Sequence, residues 1–167
     1  MAGKENNYTL IGMPGAGKST IGVLLAKALG CEFIDTDLVI QQREGKLLKE
    51  IIADAGNDGF KKIEEEVNAS IEAKGAVIAP GGSAIYSEKA MKHFREIGKV
   101  IYLKLSFESV RKRLGDLNAR GVVLEKNQTL YDLYCERTPL YEKYADLTVE
   151  LDGLDIGSSL EKVFEKL

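Results

Sequence analysis

The stretch YTLIGMPGAGKS, residues 8–19, decides the fold of this chain. It joins a short apolar run at 8–11 to the motif G-x-x-x-x-G-K-[ST] at 12–19, and apolar residues at helical spacing follow. The glycines of such a loop let consecutive backbone N–H groups face phosphate oxygens, and the helix adds the positive end of its dipole. The stretch therefore predicts a strand, a phosphate-binding loop and a helix. A glycine-rich turn without a ligand is disfavoured because Lys18 and Ser19 occupy the motif's functional places.

Elsewhere in the chain, short β-branched runs alternate with segments of helical period. This alternation is typical of an α/β fold with a parallel sheet. Five strands are predicted, at 8–11, 31–34, 76–79, 100–105 and 147–151. The main predicted helices run from near Ser19 to Gly30, through 60–71 with an end at Gly75, from Thr129 to a kink or end at Pro139, and through 160–167.

Composition sets limits on the class of protein. The chain has 167 residues, 44% of them hydrophobic and 29% charged, which predicts one soluble globular domain. A net charge of -3 gives no overall attraction for nucleic acid. The two cysteines are far apart in the sequence, which indicates reduced thiols. The chain starts with polar residues and has no stretch of about 20 apolar residues, so no membrane span is predicted. We therefore expect a cytoplasmic monomer that binds neither nucleic acid nor membrane.

The phosphate loop itself predicts the ligands ATP and Mg²⁺. Lys18 is expected to reach the β- and γ-phosphates, and Ser19 to offer its hydroxyl to Mg²⁺. The full set of predicted nucleotide contacts in this region is Gly15, Ala16, Gly17, Lys18, Ser19 and Thr20.

Two carboxylates follow the second predicted strand, at Asp35 and Asp37. The carboxyl ends of parallel strands share one edge of a sheet, so both are expected near the phosphate loop. One could orient Mg²⁺ or its water, and the other could accept the proton of an attacking hydroxyl. They share a face if the strand continues to Asp37; the alternative is a capped helix start.

Four cationic residues are candidates for a local anion site in this acidic chain: Lys61, Arg113, Arg120 and Arg137. Taken one at a time, each is better explained by a solvated surface than by a ligand site. Pattern alone does not single them out.

The phosphate loop, FIDTD at 33–37, PGGS at 80–83, Arg120 and RTPLY at 137–141 together resemble the shikimate kinase family, in that family's order and spacing. The resemblance covers nearly the whole chain. It implies a three-layer P-loop kinase fold with a five-stranded parallel sheet, like that of nucleoside-monophosphate kinases. It also implies one domain over 1–167, with a substrate-binding helical segment at about 36–65 and a lid at about 113–128.

The resemblance further implies roles for single residues. Asp35 would assist Mg²⁺, and Asp37 would contact substrate hydroxyls and is a candidate base. Arg137 would hold the substrate carboxylate, Arg113 would stack near the adenine, and Lys18 and Arg120 would stabilise the transferring phosphoryl group. Backbone N–H groups of the loop after the third strand would approach the substrate; the remaining implied substrate contacts are Lys61, Gly81, Gly82 and Ser83.

Three departures from the family pattern lie on the substrate side. Lys61 stands where the family usually has arginine, with Glu64 retained. Ser83 ends a triplet that is usually all glycine, and Gly121-Val122-Val123 follows Arg120 where Pro-Leu-Leu is usual. The nucleotide side shows no such departure.

Three functions are weighed on these grounds. The first is ATP-dependent phosphorylation of a shikimate hydroxyl to shikimate 3-phosphate, a step in aromatic amino acid biosynthesis. The second is a kinase for another small anionic hydroxy compound, since the groups that contact the substrate set specificity and the departures lie among them. Gluconate-type and nucleotide kinases share the loop and are the rivals within the class of kinases. The third is a non-catalytic nucleotide-binding regulator, which would be expected to lose Lys18, Asp35 or Arg120, all present here.

Overall fold

The structure of this chain is a computed structural model that describes residues 6–115 and 124–167. Its strands are β1 Asn7–Ile11, β2 Glu32–Asp35, β3 Ala76–Ala79, β4 Gly98–Lys104 and β5 Leu147–Glu150. Its α-helices are α1 Lys18–Leu29, α2 Thr36–Glu44, α3 Leu48–Ala69, α4 Glu88–Ile97, α5 Phe107–Leu114, α6 Leu130–Tyr144 and α7 Ile156–Glu165. A single 3₁₀ turn covers Ala84–Tyr86.

The strands form one parallel sheet in the order β2-β3-β1-β4-β5. All four residues of β3 are buried, and side chains alternate between the two faces of a strand, so helices cover both faces. This is the three-layer α/β fold that the sequence predicts. Each predicted strand agrees with the observed one to within two residues.

Asn7 joins the central strand to its neighbours. Its side-chain amide donates to the carbonyls of Ala73, at 2.8 Å, and Ile97, at 2.9 Å, and its carbonyl oxygen accepts from the N–H of Ala76 at 2.9 Å. Asn7 is 1% exposed. A buried side chain thus satisfies three backbone groups beside the starts of β3 and β4.

The second strand ends at Asp35 and does not continue to Asp37. Asp35 caps α2, because its Oδ1 accepts the N–H of Asp37 at 3.0 Å, so the capped helix start is the correct alternative. Both carboxylates nevertheless lie at the carboxyl edge of the sheet, beside the phosphate loop.

One predicted helix end is wrong, and at Pro139 one of the two predicted outcomes, an end of the helix, is excluded. α3 ends at Ala69 rather than Gly75, and it begins earlier than predicted, at Leu48, with non-helical backbone at Gly56 (φ 72°). α6 does not end at Pro139 but continues to Tyr144, because buried Arg137 and Tyr141 anchor the segment on both sides of the proline. Among the described helices, none is both long and apolar enough to cross a bilayer.

Candidate active site

The phosphate loop connects β1 to α1 and contains three glycines with positive φ, the first of which is Gly12 at 155°. Gly15 has φ 81°, and Gly17, which precedes the first residue of α1, has φ 92°. Side chains rarely adopt these angles, so glycine is required for the loop to turn. The first N–H groups of α1 have no acceptor within the helix and are available to an anion at this end.

Other predicted loop contacts lie in different surroundings. The N–H of Ala16 donates to the carbonyl of Met13 at 3.0 Å, which closes the loop on itself, while Thr20 is exposed in the first turn of α1. Arg113, on α5, contacts the loop from outside: its Nη1 donates to the carbonyls of Gly15, at 3.4 Å, and Ala16, at 3.5 Å.

Lys18 is folded onto the loop that carries it. Its ammonium donates to the carbonyl of Gly12 at 2.8 Å and to that of Met13 at 3.0 Å. Burial, and then the positive charge of Arg137, lower the pKa of Lys18 to about 8, against the opposing effect of two nearby carboxylates. Lys18 and Arg137 therefore lie close enough for the charge of one to affect the pKa of the other.

The carboxylates Asp35 and Asp37 lie next to this lysine. The Ser19 hydroxyl donates to Oδ2 of Asp35 at 3.4 Å, so the two predicted metal ligands are neighbours. Burial, and then the negative charge of Asp35, raise the pKa of Asp37 to about 6, and Lys18 opposes the rise. The pKa of Asp37 therefore lies close to neutral pH.

A cavity of about 380 Å³ opens between the phosphate loop, α3, the loop after β3 and α6. Predicted site residues that line it are Gly15, Lys18, Ser19, Asp35, Asp37, Lys61, Gly81, Gly82, Ser83 and Arg137. Ala16, Gly17, Thr20 and Arg113 lie outside its lining. Arg120 and Gly121-Val122-Val123, with half of the predicted lid, fall in 116–123, outside the described residues.

Gly82 lies where a side chain would collide with Arg137. A Cβ at this position would come within 2.8 Å of Nη1 of Arg137 and 3.4 Å of the Tyr141 hydroxyl, which donates to the Gly82 carbonyl at 2.9 Å. The backbone of the loop after β3 thus forms one wall of the cavity. Its close approach to Arg137 explains the need for glycine.

Glu64 is a buried carboxylate that pattern analysis did not assign to the site. It is 3% exposed, and its Oε1 accepts the Ser83 hydroxyl at 2.7 Å. Burial raises the pKa of Glu64, and the Ser83 hydrogen bond opposes that rise. The serine that departs from the family's glycine triplet therefore provides a partner for this carboxylate.

Tyr86 is a second cavity residue that the sequence did not single out. The Nε of Arg137, a residue 7% exposed, donates to the Tyr86 hydroxyl at 3.3 Å, and the Lys61 ammonium lies 5.0 Å from the centroid of the Tyr86 ring. The hydroxyl donates in turn to Oε1 of Glu136 at 2.7 Å. Lys61 and Arg137 are thus gathered around one aromatic side chain.

The residues beside the loop fit Mg²⁺ bound together with a nucleotide. Within the two described ranges, no group of three or more His, Cys, Asp or Glu side chains could hold a metal by itself. Mg²⁺ commonly takes only one or two protein oxygens and completes its shell with phosphates and waters. The adjacent oxygens of Ser19 and Asp35 match that requirement.

A phosphate loop at the carboxyl edge of a parallel sheet, opening onto a cavity lined by carboxylates and cations, defines the chain as a P-loop kinase. The sequence model of the family described as shikimate kinase matches residues 14–167. The chain belongs to the shikimate kinase family, whose members are phosphotransferases with an alcohol acceptor.

Individual relatives agree with this assignment. The chain is 39% identical over 164 residues to shikimate kinase of Francisella tularensis subsp. novicida (96% of this chain, 93% of the relative). It is 36% identical over 167 residues to that of Thiobacillus denitrificans (98% and 91%).

Solved structures give the same result. Shikimate kinase from Acinetobacter baumannii in complex with shikimate matches with a TM-score of 0.86 at 32% identity, over 97% of this chain and 92% of that one. Shikimate kinase from Aquifex aeolicus matches with a TM-score of 0.78 at 28% identity, over 96% and 94%. The family and the P-loop kinase fold predicted from the motifs are confirmed.

Proposed function

We propose that this chain transfers the γ-phosphoryl group of ATP to a hydroxyl of shikimate, giving shikimate 3-phosphate for aromatic amino acid biosynthesis. One observation carries the proposal: a single cavity is lined by the phosphate-loop residue Lys18, the carboxylate Asp37 and the acceptor-side cation Arg137. An acceptor with both a hydroxyl and a carboxylate fits that arrangement, and the family relationship names such a compound.

On the donor side, the loop binds the phosphates and Lys18 carries positive charge to their oxygens. The proposed nucleotide contacts are residues 15–20, through their backbone N–H groups except that of Ala16, which donates to the carbonyl of Met13, and Arg113 lies beside them. Ser19 and Asp35 would hold Mg²⁺, which supplies a charge that bridges phosphate oxygens and offsets their negative charge. The role of Arg120 over the transferring group stays a prediction from the family resemblance.

On the acceptor side, Arg137 offers a planar fork for a carboxylate, and Lys61 adds a second positive charge without a fork. Backbone N–H groups of Gly81 and Gly82 approach the acceptor, and Ser83 acts through its hydrogen bond to Glu64.

Asp37 accepts the hydrogen bond, and then the proton, of the attacking hydroxyl. With a pKa of about 6 it is mostly ionised at pH 7, and it still has enough proton affinity to serve as a base.

A second candidate is a kinase for another small anionic hydroxy compound. Two acceptor-side departures favour it, Lys61 in place of arginine and Ser83 in place of glycine, because acceptor contacts set specificity. A non-catalytic regulator is disfavoured by the coupled group of Lys18, Asp35 and Asp37, since nucleotide binding alone does not require a carboxylate of raised pKa.

The proposal is tested by ADP release with a panel of acceptors: shikimate, quinate, 3-dehydroshikimate, gluconate and homoserine. Shikimate is expected to give the largest stimulation. Lys18→Ala should lower the stimulated rate by a factor on the order of 10²–10³, because a donor to the transferring phosphoryl oxygens is lost. No stimulation by shikimate refutes the proposed acceptor, and an unchanged rate in Lys18→Ala refutes catalysis at this loop.

We also propose that the chain acts as a single-domain cytoplasmic monomer without nucleic acid or membrane partners. Its two cysteines, Cys31 and Cys135, are free, which fits a reducing compartment. Its net charge of -3 gives no general attraction for polyanions.

A further inference from the structure

Tyr86 occupies a position between the two cations of the acceptor side. Its ring centroid lies 5.0 Å from the ammonium of Lys61 and 5.5 Å from the Cζ of Arg137. Cations within about 6 Å of an aromatic ring are attracted to the negative face of its π-system. One ring is thus within attractive distance of both charges that line this part of the cavity.

The hydroxyl of Tyr86 binds one edge of the Arg137 guanidinium and leaves the opposite edge for a ligand. The hydroxyl has one proton, which it donates to Oε1 of Glu136 at 2.7 Å, and its oxygen accepts from the Nε of Arg137 at 3.3 Å. The Nε edge of the guanidinium is therefore occupied. The terminal nitrogens lie on the other side of the group, with Nη1 beside the loop after β3, close to Gly82 and to the Tyr141 hydroxyl, and they can offer their further N–H groups to a ligand.

The partners of Tyr86 are themselves held in place. Glu136 also accepts from the side-chain amide of Gln128 at 2.9 Å. The backbone of Tyr86 belongs to the 3₁₀ turn, and its N–H donates to the carbonyl of Ser83 at 3.1 Å. Burial, and then the bond to Glu136, raise the pKa of the Tyr86 hydroxyl, which therefore stays a neutral donor at physiological pH.

We propose that Tyr86 is a positioning residue for the acceptor's carboxylate. Its hydroxyl orients the guanidinium of Arg137 so that the terminal nitrogens face the cavity, and its ring keeps Lys61 next to the same point. The carboxylate thus meets a fork and a point charge that converge before it binds. This inference rests on the proposed function, because it assumes an acceptor that carries a carboxylate.

The test is Tyr86→Phe, which keeps the ring and removes only the hydroxyl. Tyr134→Phe is the matched control, because its hydroxyl donates to the carbonyl of Leu105 at 2.9 Å outside the cavity lining. In Tyr86→Phe the KM for shikimate should rise about three- to tenfold, as expected for the loss of one hydrogen bond of ordinary strength. The kcat and the KM for ATP should change less than about twofold, and Tyr134→Phe should leave all three within that range.

A second acceptor separates positioning from general damage. The methyl ester of shikimate lacks the anionic carboxylate, so its KM should be the same in the wild-type protein and in Tyr86→Phe. An equal rise for acid and ester, or no rise for either, would overturn the inference.

Failure of the proposed function gives a different result. If the wild-type protein does not turn over shikimate, the assigned acceptor is wrong, and the inference is then judged on the free protein by NMR of the arginine Nε–H signals. The Arg137 signal, identified by its loss in Arg137→Lys, should exchange with water faster in Tyr86→Phe than in Tyr134→Phe. Equal exchange in the two variants overturns the positioning role.

Discussion

Lys61 places an ammonium where the family usually has a guanidinium. An ammonium attracts a carboxylate as a point charge and has no planar fork for two parallel hydrogen bonds. Arg137 is therefore the only fork among the cations that line the described cavity. Lys61 keeps the positive charge that an acidic acceptor requires, but it cannot form the two parallel hydrogen bonds that a guanidinium would form.

Restoring the fork should strengthen acceptor binding. Lys61→Arg is expected to lower the KM for shikimate about threefold with kcat nearly unchanged, because the gain is in binding the carboxylate and not in the transfer step. The acceptor panel should keep shikimate first. Lys62→Arg, at the exposed neighbouring position on α3, is the matched control and should change neither constant. A change in the preferred acceptor would instead support the second candidate function.

At the residue scale, the sequence revealed the groups that belong to local motifs and missed those that the fold brings in from a distance. Lys18, Ser19 and Asp35 were predictable because a fixed spacing carries their chemistry. Tyr86 was not, because it meets Arg137 across 51 positions of the chain and nothing local marks it. The hydrogen bond from Ser83 to Glu64, across 19 positions, is a contact of the same kind.

At the scale of elements, the side chain of Asn7 determines how β1 joins β3 and β4. Asn7→Leu has a similar size but leaves three backbone groups without this partner, two of them in buried hydrogen bonds and one in a part-buried hydrogen bond. It should lower the free energy of unfolding by about 3 kcal/mol or more, measured by urea denaturation.

The control for this change is Thr9→Val on the same strand. Thr9 is 0% exposed, and its hydroxyl has no hydrogen-bond partner among the described residues, so valine should be neutral or slightly stabilising. Equal destabilisation by both variants would mean that β1 tolerates no replacement, and the role of the Asn7 hydrogen bonds would be disproved.

The strands were predictable as elements because each is a short apolar run between breakers. The boundaries of α2 and α3 were harder to predict. α2 starts directly after β2, with Asp35 serving both as the last strand residue and as the helix cap, so no breaker marks the boundary. In α3, the non-helical backbone at Gly56 divides the helical period, which is why only its second half was predicted.

For the whole molecule, two shifted pKa values set the pH range that the proposed mechanism predicts. In that mechanism Asp37 accepts a proton only when it is ionised and has a pKa of about 6, and Lys18 acts only when it is charged and has a pKa of about 8. The kcat/KM for shikimate should therefore form a bell, falling below about pH 6 and above about pH 8. A profile from about pH 5 to 9.5 at constant ionic strength checks both limbs.

Stability provides an independent check on the acid limb. Because the folded state raises the pKa of Asp37 above 3.8, the proton binds the folded state more tightly, and ionised Asp37 destabilises the fold at neutral and higher pH. Asp37→Asn should accordingly raise the free energy of unfolding at pH 8 by about 2 kcal/mol and lose that gain near pH 4, while activity falls. A variant that is less stable at pH 8 would contradict the raised pKa.

The bonds that Lys18 makes to the carbonyls of Gly12 and Met13 have a consequence for ligand choice. A phosphate that attracts the ammonium must replace these two acceptors, so donor binding is an exchange of partners and not a simple addition. Every anion must displace the same two hydrogen bonds of Lys18. A ligand with several phosphates offsets more of this loss of free energy than a ligand with a single phosphate, because it makes more contacts with the loop. These two hydrogen bonds therefore favour binding of a nucleoside triphosphate over binding of free inorganic phosphate.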